Sequence, residues 1–145
     1  MWKKRRGKLG FFHPLLGTWH AQADSPTGPV HCTRTYRRVL NGKFVQLSAH
    51  WETSRAVYEE LAYFGERAEG TIGFWSFTSD GKHSEGIAAD ATDIHPQAIG
   101  FEAPMPAGLA RTAYWPDDED GFFWVVEAKT KTGWRRFLHH HYRPQ

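Results

Sequence analysis

Turn-forming clusters interrupt this chain roughly every ten residues, a spacing that suits strands joined by tight turns and leaves no room for long helices. The clearest are Asn41-Gly42, Asp80-Gly81, Pro106-Ala107-Gly108, the acidic run Asp117 to Gly121, and Thr132-Gly133. Each supplies a residue that tolerates positive φ or presets φ at a bend. Weaker breaks fall at 25–29, 53–55, 65–70 and 93–96. The stretches between them read as ten strands: 17–24, 30–40, 43–52, 57–64, 71–78, 83–90, 97–103, 109–115, 122–130 and 134–143. Nearly all connections have hairpin length, so the strands form an up-and-down antiparallel meander, which removes its exposed edges by closing on itself. The expected fold is therefore an all-β antiparallel barrel of about ten strands. Phe11, Phe12, Leu15 and Leu16 need burial, which predicts a short N-terminal helical turn or plug near Pro14.

Composition agrees with strands: 15% of the residues are aromatic, with seven Trp and ten Phe, while the two Met and modest Leu content leave little for amphipathic helices. A chain of 145 residues has the size of one domain with a real core. The net charge of +2 is uneven, because Lys3, Lys4, Arg5, Arg6 and Lys8 cluster at the start. Residues 1–10 are read as a basic, flexible arm and 11–145 as the barrel. Beyond the arm the cations do not interleave with aromatics on one face, so no nucleic-acid partner is expected. Cys32 is the only cysteine, which excludes an intrachain disulfide and suits a reducing cytoplasm. The apolar stretch Leu9 to Leu16, broken by His13 and Pro14, is a poor secretory leader, and no apolar run is long enough for a transmembrane helix.

A barrel places alternate residues inside. In the third strand Val45, Leu47, Ala49 and Trp51 form the more apolar set, opposed by Phe44, Gln46, Ser48 and His50. Elsewhere both faces carry aromatics: Phe74 opposes Trp75 and Phe77, and Phe122 and Trp124 oppose Phe123 and Val125. A barrel interior combining aromatic walls with a few polar anchors for a ligand gives such a mixture, and so does an outer dimer contact or covering segment.

Leu16-Gly17-Thr18-Trp19 resembles the Gly-x-Trp opening of the calycin superfamily, which includes lipocalins and fatty-acid-binding proteins. Leu40-Asn41-Gly42-Lys43-Phe44-Val45 is similar to a hairpin of the DUF1579 family of lipocalin-like proteins, and Tyr142-Arg143 is similar to that family's terminus. The resemblance implies a structural pair, Trp19 with Arg143 packed across its ring to close the barrel. His13-Pro14-Leu15-Leu16-Gly17-Thr18-Trp19 also resembles the opening of the nitrobindin-type haem-binding barrels. Those place the iron-binding His seven residues before the closing Arg, where this chain has Arg136. No cofactor is therefore expected, with haem as the alternative.

Candidate ligand walls are Trp51, Tyr63, Trp75, Phe77 and Trp124. Arg111, mid-strand between Leu109 and Ala113, would anchor a carboxylate if it points inward and is an ordinary surface cation if it points outward. Glu85 is a second candidate anchor, competing with a place on an exposed hairpin rim. His139 and His141 share one strand face and form a candidate metal chelate that lacks a third ligand. Phosphate-binding, nucleophile-elbow and metalloprotease motifs are absent, so catalysis has no support in the sequence. The expected function is intracellular binding of a small, largely apolar ligand. Its alternatives are a haem or metal barrel using the C-terminal histidines, or a structural or partner-binding domain with a filled core; surplus aromatics on the outer face would also suit a homodimer contact.

Overall fold

The turn signals do end strands. In a computed structural model describing residues 2–145, ten strands follow one 3-10 segment, Gly10–Leu15. They are β1 (Gly17–Ser25), β2 (Gly28–Val39), β3 (Phe44–Glu52), β4 (Val57–Ala68), β5 (Thr71–Thr78), β6 (His83–Ala89), β7 (Ile99–Met105), β8 (Gly108–Pro116), β9 (Phe122–Thr130) and β10 (Gly133–Pro144). Every strand pairs antiparallel with its sequence neighbour, and β10 returns to β1, so the sheet is a closed barrel. The closing seam pairs only Trp19 with Pro144 and His20 with Arg143.

Local chemistry explains the corners. Leu40, Asn41 and Gly42 between β2 and β3 all have positive φ, at 52°, 59° and 74°. Asn and Gly adopt this region readily, and Leu40 does so at a cost. The weak break at 65–70 proved to be strand as far as Ala68. Gly65 is there because the Phe44 ring lies across it and leaves no space for a Cβ. An irregularity between Glu66 and Ala68 bends the strand end.

The 3-10 segment plugs the end of the barrel where β1 begins. Phe12 and Leu15 are fully buried, and the Phe12 ring meets Phe64 at 4.6 Å and Phe101 at 6.0 Å. Removing such a ring from water contributes about 1.5–3 kcal/mol. Packing begins before the expected boundary: Leu9 and Gly10 are buried, and Trp2 packs against the core. Lys3, Lys4, Arg5, Arg6 and Lys8 are exposed.

Trp19 lies inside, donating from Nε1 to the Leu15 carbonyl at 2.8 Å and meeting Phe122 edge-on. Arg143 does not cross it. Residue 143 pairs with His20, one step out of phase with Trp19, so its side chain is exposed on the outer face. The cation stacked on an indole inside the barrel is Arg34, whose Cζ lies 4.1 Å from the Trp124 ring centre.

The connection from β6 to β7 folds back over the outer surface. Ala91, Ile94 and Ala98 pack on Ala113, Trp115 and Val125, forming a second small core outside the barrel wall. Among the described residues no helix is long and apolar enough to cross a membrane.

Candidate ligand-binding cavity

Strand register decides which side chains meet inside. The third-strand reading holds: Val45, Leu47 and Ala49 are buried and Trp51 partly so. Their partners carry the inward set around the barrel, with Leu47 opposite Ala62, Ala49 opposite Glu60, and Trp51 opposite Tyr58. The same phase runs through Phe74 and Ser76, then Phe101 and Ala103, then Thr112 and Tyr114, then Trp124 and Val126, and finally Leu138, His140 and Tyr142.

This inner face does not fill the barrel. A cavity of about 710 Å3 lies among Leu47, Trp51, Phe64, Phe74, Phe101 and Trp124, with Arg34, Glu60 and Tyr114 among its polar members. It is open to solvent at the end opposite the plug, where Met105, Lys129, Arg135 and Phe137 line it beside the β7–β8 and β9–β10 turns. A side cleft of about 220 Å3 shares Trp51, Tyr58 and Leu138 and reaches the β1–β2 turn, beside the narrow β1–β10 seam.

The polar cluster is built on one buried guanidinium. Arg34 is 2% exposed and sits between Tyr36, Tyr114, Tyr142 and Trp124. Its Nη2 lies 3.5 Å from Glu60 Oε1, and its Nη1 donates to the Tyr114 hydroxyl at 3.5 Å, both long contacts. The Tyr36 hydroxyl donates to Tyr114 at 2.9 Å, and Ser76 donates to Glu60 Oε2 at 2.5 Å. Burial pushes the phenols of Tyr36 and Tyr114 above their ordinary range, so both stay neutral. Burial likewise pushes the Cys32 thiol up, the opposite of what a nucleophile needs. Two buried donors, Nε of Arg34 and Nε1 of Trp124, have no protein acceptor.

Trp51 and Trp124 are thus brought together at the cavity as expected from the sequence. Tyr63, Trp75, Phe77 and Glu85 are not. Tyr63 accepts a hydrogen bond from Gln46, Trp75 packs on Phe44 and under Arg67, Phe77 is 53% exposed, and Glu85 pairs with Arg67 at 2.7 Å, all on the outer phase. Arg111 also points away from the interior, although its residue borders the cavity mouth. Its guanidinium binds Asp93 through two nitrogens at 2.9 and 2.7 Å and Glu127 at 2.8 Å, over the Trp134 ring. The outer phase of β8 looked apolar in sequence because the β6–β7 connection covers it.

His139 and His141 do share the outer face, His139 tilted against Trp115 and His141 stacked on Phe123, and His141 binds Asp117 at 2.8 Å. Among the described residues no cluster of three metal-ligating side chains forms. Only His140 turns inward. It is packed against Trp51 and Trp124 and contacts the Tyr142 hydroxyl at 3.2 Å. The large cavity is lined by neither histidine nor cysteine, and His140 lines the adjoining side cleft.

Arg34 and Glu60 were missed in the sequence, although the phase of Arg34 was legible. Val30, Cys32, Arg34 and Tyr36 alternate with His31, Thr33 and Thr35 in β2, and Tyr58, Glu60, Ala62 and Phe64 alternate with Glu59, Leu61 and Tyr63 in β4. A charge on the apolar phase of β2 was the available signal; β4, on the far side of β3, carries apolar residues on both phases and gave none as clear.

No family model matches the chain, and no curated protein matches it.

Proposed function

We infer that the protein binds one small, largely apolar molecule inside the barrel. The observation that carries this reading is the cavity of about 710 Å3, walled by aromatic rings and open at one end. Its size falls within the range of small-molecule sites, about 300–1,000 Å3, and a merely structural barrel would have packed it shut. The protein is a carrier or receptor rather than an enzyme in this reading, since the polar groups inside form no nucleophile and base pair. With its one buried cysteine it is suited to the cytoplasm.

Titration with Nile red, a neutral apolar fluorophore, tests the reading. The expected result is a blue-shifted, saturable emission at one dye per chain. Ala128→Trp, which puts a bulky ring near the mouth, should abolish it while leaving the far-ultraviolet circular dichroism unchanged. No saturable binding, or equal binding by the variant, would overturn the reading.

A further inference from the structure

The chemistry of the polar cluster restricts the ligand further, given that the barrel holds one. A guanidinium has five N–H donors in a planar fork. The protein offers Arg34 two acceptors, both at 3.5 Å, and none to its Nε. Trp124, against whose face that guanidinium lies, has a second unmet donor in its Nε1. Buried donors without acceptors keep the penalty of leaving water unrepaid, so a fold retains two at one place at a real cost. Both side chains line the same cavity, and the missing partner is an oxygen acceptor.

The charges say which kind. The charged residues lining the cavity are Arg34, Arg111, Lys129, Arg135 and Glu60. Arg111 is neutralised by Asp93 and Glu127 and Lys129 turns outward over the Trp134 ring, which leaves Arg135 at the mouth and Arg34 inside, against Glu60 alone. An excess of cations along an apolar passage attracts an anion. Glu60 is the group that now faces Arg34, yet it is held at a distance by its short bond from Ser76.

We propose that the resident ligand is a monocarboxylic acid with an apolar body, whose carboxylate is received by Arg34 and Trp124 in competition with Glu60. A carboxylate presents two coplanar oxygens, which match the guanidinium fork and give short charge-assisted bonds where Glu60 gives a long one. The aromatic walls take the apolar body, and Glu60 is a built-in competitor that weakens binding.

Displacement of Nile red by decanoate and by decanol, which differ only in the head group, tests the proposal. The wild-type protein is expected to bind decanoate at least about tenfold more tightly than decanol. Arg34→Gln should bring the ratio of decanoate to decanol affinity to about one. Glu60→Gln should raise the ratio of decanoate to decanol affinity several-fold, an effect that a merely structural Glu60 would not produce. If Arg34→Gln does not fold, Glu60→Gln decides alone. Equal affinities for the two head groups, or a ratio not raised by Glu60→Gln, would overturn the proposal while Nile red binding kept the cavity reading intact. Failure of Nile red itself would overturn both.

Discussion

His140 should make the fold acid-sensitive in a defined pH window. The ring is 5% exposed, and burial, the Arg34 charge and the His139 charge together lower its pKa to about 4 from an ordinary 6.5. The unfolded chain therefore takes up the proton first as pH falls. Stability from neutral His140 is fully present above about pH 6.5 and is lost progressively down to about pH 4. At about 1.4 kcal/mol per pH unit the complete loss is about 3 kcal/mol, of which about 2.5 kcal/mol is gone by about pH 4.5. Asp117 does not confuse the window. Burial raises its pKa, but bonds from His141 and two backbone amides bring it below the ordinary carboxylate value, so its contribution is lost only at lower pH. Urea unfolding at about pH 7.5 and about pH 4.5, for the wild type and His140→Gln, measures the effect. The wild type should lose about 2.5 kcal/mol more than the variant between the two conditions. Equal losses would refute the claim that a buried neutral imidazole contributes this stability.

Three further substitutions probe the frame around the cavity. Phe12→Ala removes the buried ring of the plug and should lower unfolding stability by about 3–5 kcal/mol in urea titration. Arg111→Met leaves the buried Glu127 with Arg136 as its remaining ion-pair partner. It should cost about 2–3 kcal/mol, yet leave Nile red affinity unchanged because the network faces outward. Leu40→Asn relieves a side chain held at positive φ and should raise the thermal midpoint, corresponding to about 0.5–1 kcal/mol.

The barrel was legible because its information is local. Asn41-Gly42 or Asp80-Gly81 ends a strand by its own backbone preferences, and hairpin-length links then dictate a meander. The site was legible only where one face of a strand was plainly apolar, as in β3, which placed Trp51 correctly. Arg111 and Trp75 were misplaced because burial on the outer face is non-local. Arg111 is covered by a segment some twenty residues earlier in the chain, and Trp75 is sheltered by Phe44 and Arg67 from other strands. The Trp19–Arg143 pair failed for a one-residue reason, since only register distinguishes inside from outside near the seam. Arg34 was overlooked because a lone charge on an apolar phase resembles a surface residue until its neighbours are known.

The seven tryptophans divide the molecule into inside and outside, and their indole N–H resonances provide the most direct test of where a ligand binds. In a proton–nitrogen correlation spectrum recorded during Nile red titration, the Trp51 and Trp124 signals should shift and saturate together at one equivalent. Those of Trp75, Trp115 and Trp134, on the outer face, should stay fixed. Shifts confined to the outer three, with Trp51 and Trp124 unmoved, would contradict the claim that this barrel carries its ligand within.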